Sequence, residues 1–322
     1  MKKRNIACLA LAAPLFALTA CTGGTSSLAL SANWFLNTGN TPISSANETL
    51  EYAVTFTAAE GNDFLSYGEG SYTTQLKAET IKLADGTLET GYHLHTELRI
   101  PVTYTVNGET ESFEDTVTSD AYFRDVQYSL QPVESVKTVL SHSPFSETPS
   151  TLEDAYRAYE YTYRTEYDAA CANAQIKIVY TQPSEQTISE SVELTGSGTY
   201  LDNEQIIFAM RGVSMSSAAV FRSVNPVRRT VENVAMAEAP TASTEKMTFT
   251  MNGESAEREL TMYTFSLGYS STDPGQPQSY TYAGVTDANN NTYRCALLRM
   301  ETPVLYSLGT LRYTLTNAQF GA

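Results

Sequence analysis

The chain has 322 residues, with 20 Lys and Arg against 36 Asp and Glu, a formal net charge of −16 and only 17% charged residues. That balance argues against nucleic acid as a partner, because neutralising phosphates needs clustered Lys and Arg, and against a polybasic membrane patch. Tyrosine is abundant, with 21 residues against 12 Phe and 1 Trp, which points to extracytoplasmic β structure, since aromatic residues suit a pleated, half-buried surface.

The chain opens on Lys2, Lys3 and Arg4, followed from Ile6 to Ala17 by a mostly Ala and Leu run. The run is too short to span a membrane, which takes about 20 apolar residues, and has the length of a signal-peptide core. It ends in Leu18, Thr19, Ala20 and Cys21, then the small polar stretch from Thr22 to Ser27. These residues resemble a bacterial lipoprotein signal, whose lipobox joins an aliphatic residue, two small residues and a cysteine. The resemblance implies that residues 1–20 are removed, that Cys21 receives diacylglycerol on sulfur and usually an acyl group on its new amine, and that the protein is lipid-anchored on the extracytoplasmic side of a cell membrane. Several acyl chains anchor stably where one is marginal. An ordinary secretory cleavage site is the alternative. Without the leader the chain has 302 residues and a net charge of −19.

Residues 21–47 read as the lipidated cysteine and a flexible tether, interrupted by Trp34 and Phe35, which are expected to dock on the folded part, the alternative being that they dip into the membrane interface. Only Cys171 and Cys295 then remain for the fold. A disulfide between them and two free thiols are both open readings.

From Glu48 onward, period two dominates. Leu50, Tyr52, Val54 and Phe56 mark a strand. Tyr92, Leu94, Thr96, Leu98 and Ile100 alternate against His93, His95, Glu97 and Arg99. Tyr159, Tyr161, Tyr163 and Tyr167 form one row; Ile176, Ile178 and Tyr180 form another. Tyr263, Phe265, Leu267 and Tyr269 follow, then Leu311, Tyr313 and Leu315 near the end. Asp85 with Gly86, Asn107 with Gly108, and Asn252 with Gly253 are hairpin dipeptides. Residues 151–158 and 214–223 are the best short-helix candidates, the former opened by a capping-box-like Ser150 to Glu153. Residues 235–246 and 270–279 read as loops.

Three motifs recur. Val102 to Thr110 returns as Met247 to Ser255, Asp120 to Asp125 as Gly198 to Asn203, and Ser129 to Val133 as Ser223 to Val227. They predict a mostly β protein of antiparallel sheets, built as two related open-barrel or sandwich-like units from a diverged duplication, over residues 48–145 and 154–322. Pro132 and Pro226 are expected at strand ends or edges, because proline cannot donate to a ladder. The texture is similar to the half-barrels of lipoprotein-carrier proteins.

A search for chemistry finds no nucleophile elbow, no phosphate-cradling loop and no His-Glu-x-x-His. His93 and His95 share a strand face with Glu97, geometry that suits metal ligands, but a solvated polar face is the favoured reading and no metal or other cofactor is expected. Residues 287–291 begin like a calcium loop and then depart from it, so they read as an Asn-rich turn. Tyr159, Tyr161, Tyr163 and Tyr167 are candidate ligand-lining residues, set against a plain half-buried sheet face. The reading that follows is a non-catalytic, membrane-anchored binding module for a lipid, peptide or glycan. The alternative is a structural or partner-interaction protein of the cell envelope.

Overall fold

The computed structural model describes residues 47–126, 129–195, 200–212, 218–270, 278–288, 290 and 292–321. Cys21, the tether with Trp34 and Phe35, and residues 213–217 of the second helix candidate therefore lie outside the described residues. In chain order come β1 (Asn47–Ala58), β2 (Leu65–Tyr67), β3 (Gly70–Lys82), β4 (Leu88–Val106), β5 (Glu109–Val126) and β6 (Ser129–Pro144). A four-residue helix α1 (Leu152–Ala155) leads into β7 (Tyr156–Tyr167), β8 (Asn173–Gln182), β9 (Gln186–Glu193) and β10 (Tyr200–Asp202). A 3-10 turn (Asn203–Gln205), the short helix α2 (Ile206–Ala209) and a second 3-10 turn (Met210–Gly212) form one continuous helical segment. The rest is strand: β11 (Ala219–Asn225), β12 (Thr230–Met236), β13 (Thr241–Met251), β14 (Glu254–Ser266), β15 (Gly268–Tyr269), β16 (Ser279–Thr286), β17 (Thr292–Pro303) and β18 (Gly309–Gly321).

One 14-stranded sheet runs in the order β13-β14-β16-β17-β18-β1-β3-β4-β5-β6-β7-β8-β9, with β2 paired to β4. It curls into a β-barrel, and a short parallel contact joins Thr250 and Met251 of β13 to Asn317 and Ala318 of β18. A second sheet has the order β10-β11-β12-β15. The first and last strands of the chain pair over their full lengths, Asn47 opposite Gly321 and Ala58 opposite Gly309. The expected boundary between 145 and 154 falls in the connection from β6 to β7. Those strands pair from Glu134 to Pro144, so the sheet runs unbroken across it.

The alternation expected for β4 is observed: Tyr92, Leu94, Thr96, Ile100, Val102, Tyr104 and Val106 are buried, with His93, His95, Glu97 and Arg99 on the other face. The rows in β1, β8 and β18 hold in the same way. In β14 Phe265 is buried together with Leu260 and Met262, while Tyr263 is only half-buried, so the expected row is broken there. The largest cluster draws on both expected units, Tyr92 and Tyr104 from one and Phe249 and Tyr282 from the other, so they share one core. A second cluster, including Tyr163, Tyr167, Ile176 and Ile178, lies between β7–β8 and the smaller sheet.

The hairpin dipeptides behave as their chemistry requires. Asn107 and Gly108 have φ of 54° and 85°, and Asn252 and Gly253 have 50° and 86°. Two successive positive φ values give the turn whose twist matches the flanking strands. The two hairpins also bury matching residues, Val102, Tyr104 and Val106 in β4 and Met247, Phe249 and Met251 in β13. The other recurrences part company. Asp120 to Asp125 lies within β5, whereas Tyr200 to Asn203 passes from β10 into the helical segment.

Three local expectations need correction. Residues 219–223 are strand β11, because Ala219, Phe221 and Ser223 alternate into the core. The loop expected over 235–246 is shorter, since β12 runs to Met236 and β13 starts at Thr241. Pro132, by contrast, keeps the edge position expected of it: β7 pairs with β6 only from Glu134 onward, so among the described residues Pro132 has a strand neighbour on the β5 side alone. Residues 151–158 hold only the one-turn α1. Its N-cap is Thr151, whose Oγ1 accepts from the Asp154 amide at 3.3 Å, one residue later than the box expected from Ser150.

Candidate functional site

The barrel forms a half-open cavity of about 520 Å³, within the usual range of roughly 300–1,000 Å³ for small-molecule sites. Its walls come from opposite arcs of the long sheet: Leu98, Val117 and Val139 from β4 to β6, and Met300, Thr302 and Tyr313 from β17 and β18. Tyr159, Tyr161 and Tyr163 of β7 line it, joined by Tyr72, Tyr180, Tyr280 and Tyr313. Tyr161 lies 5.3 Å from Tyr180 and 6.4 Å from Tyr163 between ring centroids, and Tyr72 meets Tyr313 edge-on at 5.3 Å. Tyr167, the fourth candidate, does not line the cavity. It is buried behind the wall, and its hydroxyl donates to Asp202 Oδ2 at 2.6 Å.

Burial raises the ionisation range of these phenols. Tyr313 is pushed up to about 12, and Tyr72 and Tyr163 are raised further, so all three remain neutral near pH 7. The wall is therefore a set of aromatic faces with polar tips, suited to apolar chains and rings.

The start of the helical segment at 203–212, through Asn203, Glu204, Ile206 and Ile207, forms the floor of the cavity. Asp202 caps the segment: Oδ1 accepts from the Glu204 amide at 2.8 Å, and Oδ2 accepts from Ser135 Oγ at 2.8 Å as well as from Tyr167. Burial lifts the Asp202 carboxyl to about 6. Glu204 points the other way. Burial pushes its carboxyl up, but Lys137 and hydrogen bonds from Tyr163 and Asn203 outweigh that and hold it below the usual range. Lys137 Nζ lies 3.2 Å from Glu204 Oε1, and both residues line the cavity.

Farther along, the segment is locked into the barrel. Phe208 packs at 4.9 Å from Phe123 and 5.7 Å from Tyr92. Tyr282 donates its hydroxyl to the Ile207 carbonyl at 2.5 Å. Arg211 forms a buried bidentate pair with Glu48 at the start of β1. The segment is too short to carry a periodic pattern in the sequence. Its signal was an Asp followed by Asn-Glu-Gln and an apolar run from Ile206 to Met210, which is how a capped helix starts. Lys137 was legible only as a cation on the inward row of β6, between Ser135 and Val139.

The remaining candidates lie apart from the cavity. Cys171 and Cys295 are both free, so the bridge considered between them is not formed. Cys171 sits in the β7–β8 connection against the second cluster, and Cys295 in β17 against the first. Burial, with Asp168 nearby, pushes the Cys171 thiol up to about 11, which makes it a poor nucleophile. His93 Nε2 and His95 Nδ1 both contact Asp120 Oδ1, at 2.7 and 2.9 Å, and the His93 ring stacks on Tyr122 at 4.4 Å. Glu97 on the same face accepts from Arg99 Nε at 2.6 Å. His142 stacks on Phe113 at 3.9 Å and meets Asp115 at 2.9 Å. Among the described residues no group of three or more His, Cys, Asp or Glu is placed to hold a metal ion. Of the Asn-rich stretch, Asn289 and Asn291 lie outside the described residues. Asn290 donates its amide to the Asp287 carbonyl at 3.0 Å, as in a turn. Among the described residues no helix is long and apolar enough to cross a membrane.

No family model matches the chain, and no curated protein matches it in sequence. Among solved structures it is similar to a β-barrel-like protein of a domain of unknown function (DUF1849) from Brucella abortus, at 10% identity and a TM-score of 0.41, over 85% of this chain and 98% of that one.

Proposed function

We propose that the protein is a non-catalytic binding module, held at the extracytoplasmic face of a membrane by lipid on Cys21, that carries an amphipathic, lipid-like molecule in its barrel. The observation behind this reading is the 520 Å³ cavity itself, with seven tyrosines on its wall and a single Lys-Glu pair on its floor. Aromatic and aliphatic side chains supply apolar area, and the few polar groups orient what is bound. Of the lipid, peptide and glycan classes, an apolar chain suits such a wall best. The three histidines are paired with Asp115 or Asp120 and take no part in lining the cavity, which supports binding over acid–base chemistry.

Native mass spectrometry of the full-length protein against a total lipid extract tests this. A 1:1 adduct in the lipid mass range is expected, lost in Val139→Trp, which fills the cavity. A protein that takes up no lipid, or a Val139→Trp variant that takes up as much as the parent, contradicts the reading. Mass analysis of the N-terminal peptide tests the anchor: an unmodified Cys21 overturns it.

A further inference from the structure

The two charges on the cavity floor are unequally satisfied. Glu204 Oε1 accepts from Lys137 Nζ at 3.2 Å, from Asn203 Nδ2 at 3.1 Å and from the Tyr163 hydroxyl. Oε2 of the same carboxylate accepts no hydrogen bond among the described residues and, unlike Asn203 Oδ1, keeps accessible surface. A donor placed there forms a charge-assisted bond. Lys137 is 22% exposed and donates one of its three protons, to Glu204, leaving two for another acceptor. Asn203, which also lines the cavity, has its Oδ1 buried without a partner.

The pair is net neutral. A purely anionic end gains from Lys137 and is repelled by Glu204, and a purely cationic end meets the reverse. An end that carries a donor and an acceptor side by side gains from both charges. We propose that the cavity selects such a net-neutral end, an ammonium or amide N–H seated on Glu204 Oε2 and an anionic or carbonyl oxygen on Lys137 Nζ, with the apolar remainder along Tyr161 and Tyr163. This inference rests on the reading of the cavity as a binding site.

The test is a titration of the full-length protein with four amphiphiles sharing one decyl chain, each below its micellar concentration. Decylphosphoethanolamine has donor and acceptor, decylphosphocholine has the acceptor without an N–H donor, decylamine has the donor alone and decyl phosphate is an anion. The phosphoethanolamine is expected to bind at least tenfold more tightly than the other three. Glu204→Gln should remove its advantage over the phosphocholine, and Lys137→Met its advantage over the amine. Equal affinity for all four, or a preference for the amine or phosphate, overturns the head-group inference while leaving cavity binding standing. Binding of none of them overturns the cavity reading itself. Should Glu204→Gln fail to fold, the parent series and Lys137→Met decide the matter.

Discussion

The ion pair between Arg211 and Glu48 fixes the helical segment to the start of the barrel, and breaking it should be among the most damaging single changes in the chain. The side chains are 5% and 3% exposed, and both guanidinium ends reach the carboxylate. Replacing Glu48 by Gln leaves a buried guanidinium facing a neutral amide. Removing one partner of a buried pair costs about 3–5 kcal/mol, because the other charge stays desolvated and uncompensated. Replacing both, Glu48→Leu with Arg211→Met, removes both charges and keeps their volume, so most of that loss should return. Urea denaturation followed by circular dichroism measures the parent, both single variants and the double variant. An unfolding free energy for Glu48→Gln within about 1 kcal/mol of the parent would refute the reasoning, and so would a double variant as unstable as the worse single one.

Asp202, lifted to about 6 by burial, makes the fold pH-dependent in a defined direction. A carboxyl raised above its unfolded value near 3.9 is penalised when ionised, so its penalty applies above pH 6 and fades as pH falls toward 4, by about 3 kcal/mol. The parent should therefore gain stability relative to Asp202→Asn between pH 7 and pH 4, and parallel pH profiles would contradict this. Gly108→Ala and Gly253→Ala should each cost about 1 kcal/mol in thermal unfolding, because both positions have positive φ and open space around the missing Cβ; a stabilising effect at either would be unexpected. Phe123→Ala should cost about 3–5 kcal/mol, since the ring is fully buried between Tyr92 and Phe208. Cys171 and Cys295 should both titrate with a thiol reagent in the unreduced, denatured chain, and a missing pair of thiols would show that a bridge forms.

What could be read from the sequence was local and periodic. The inward rows of β1, β4, β8 and β18 were visible because a half-buried strand must alternate, and the Asn-Gly hairpins because only certain residues tolerate positive φ. Three of the four flagged tyrosines on β7 line the cavity. Tyr167 escaped that reading because its distinction lies in Asp202, 35 residues away, which accepts from its hydroxyl. Pairings between distant segments left no local trace. Nothing in residues 47–58 announces that they pair with residues 309–321, so the single continuous sheet was not legible. The helical segment at 203–212 is too short for a periodic signal, and its place inside the barrel depends on partners as distant as Glu48 and Tyr282. The Lys137–Glu204 pair joins a strand to that segment, so it emerges only once both are placed.

The central claim is that the tyrosine-lined lumen holds the apolar part of a ligand. A crystal structure of the protein soaked with a decyl amphiphile brominated at the chain terminus tests it most directly. The account predicts one bromine anomalous peak inside the barrel, within van der Waals reach of the wall formed by Tyr161, Tyr313 and Met300, which all line the cavity. Bromine found only on the outer surface of the sheet, with the lumen unchanged, would contradict it.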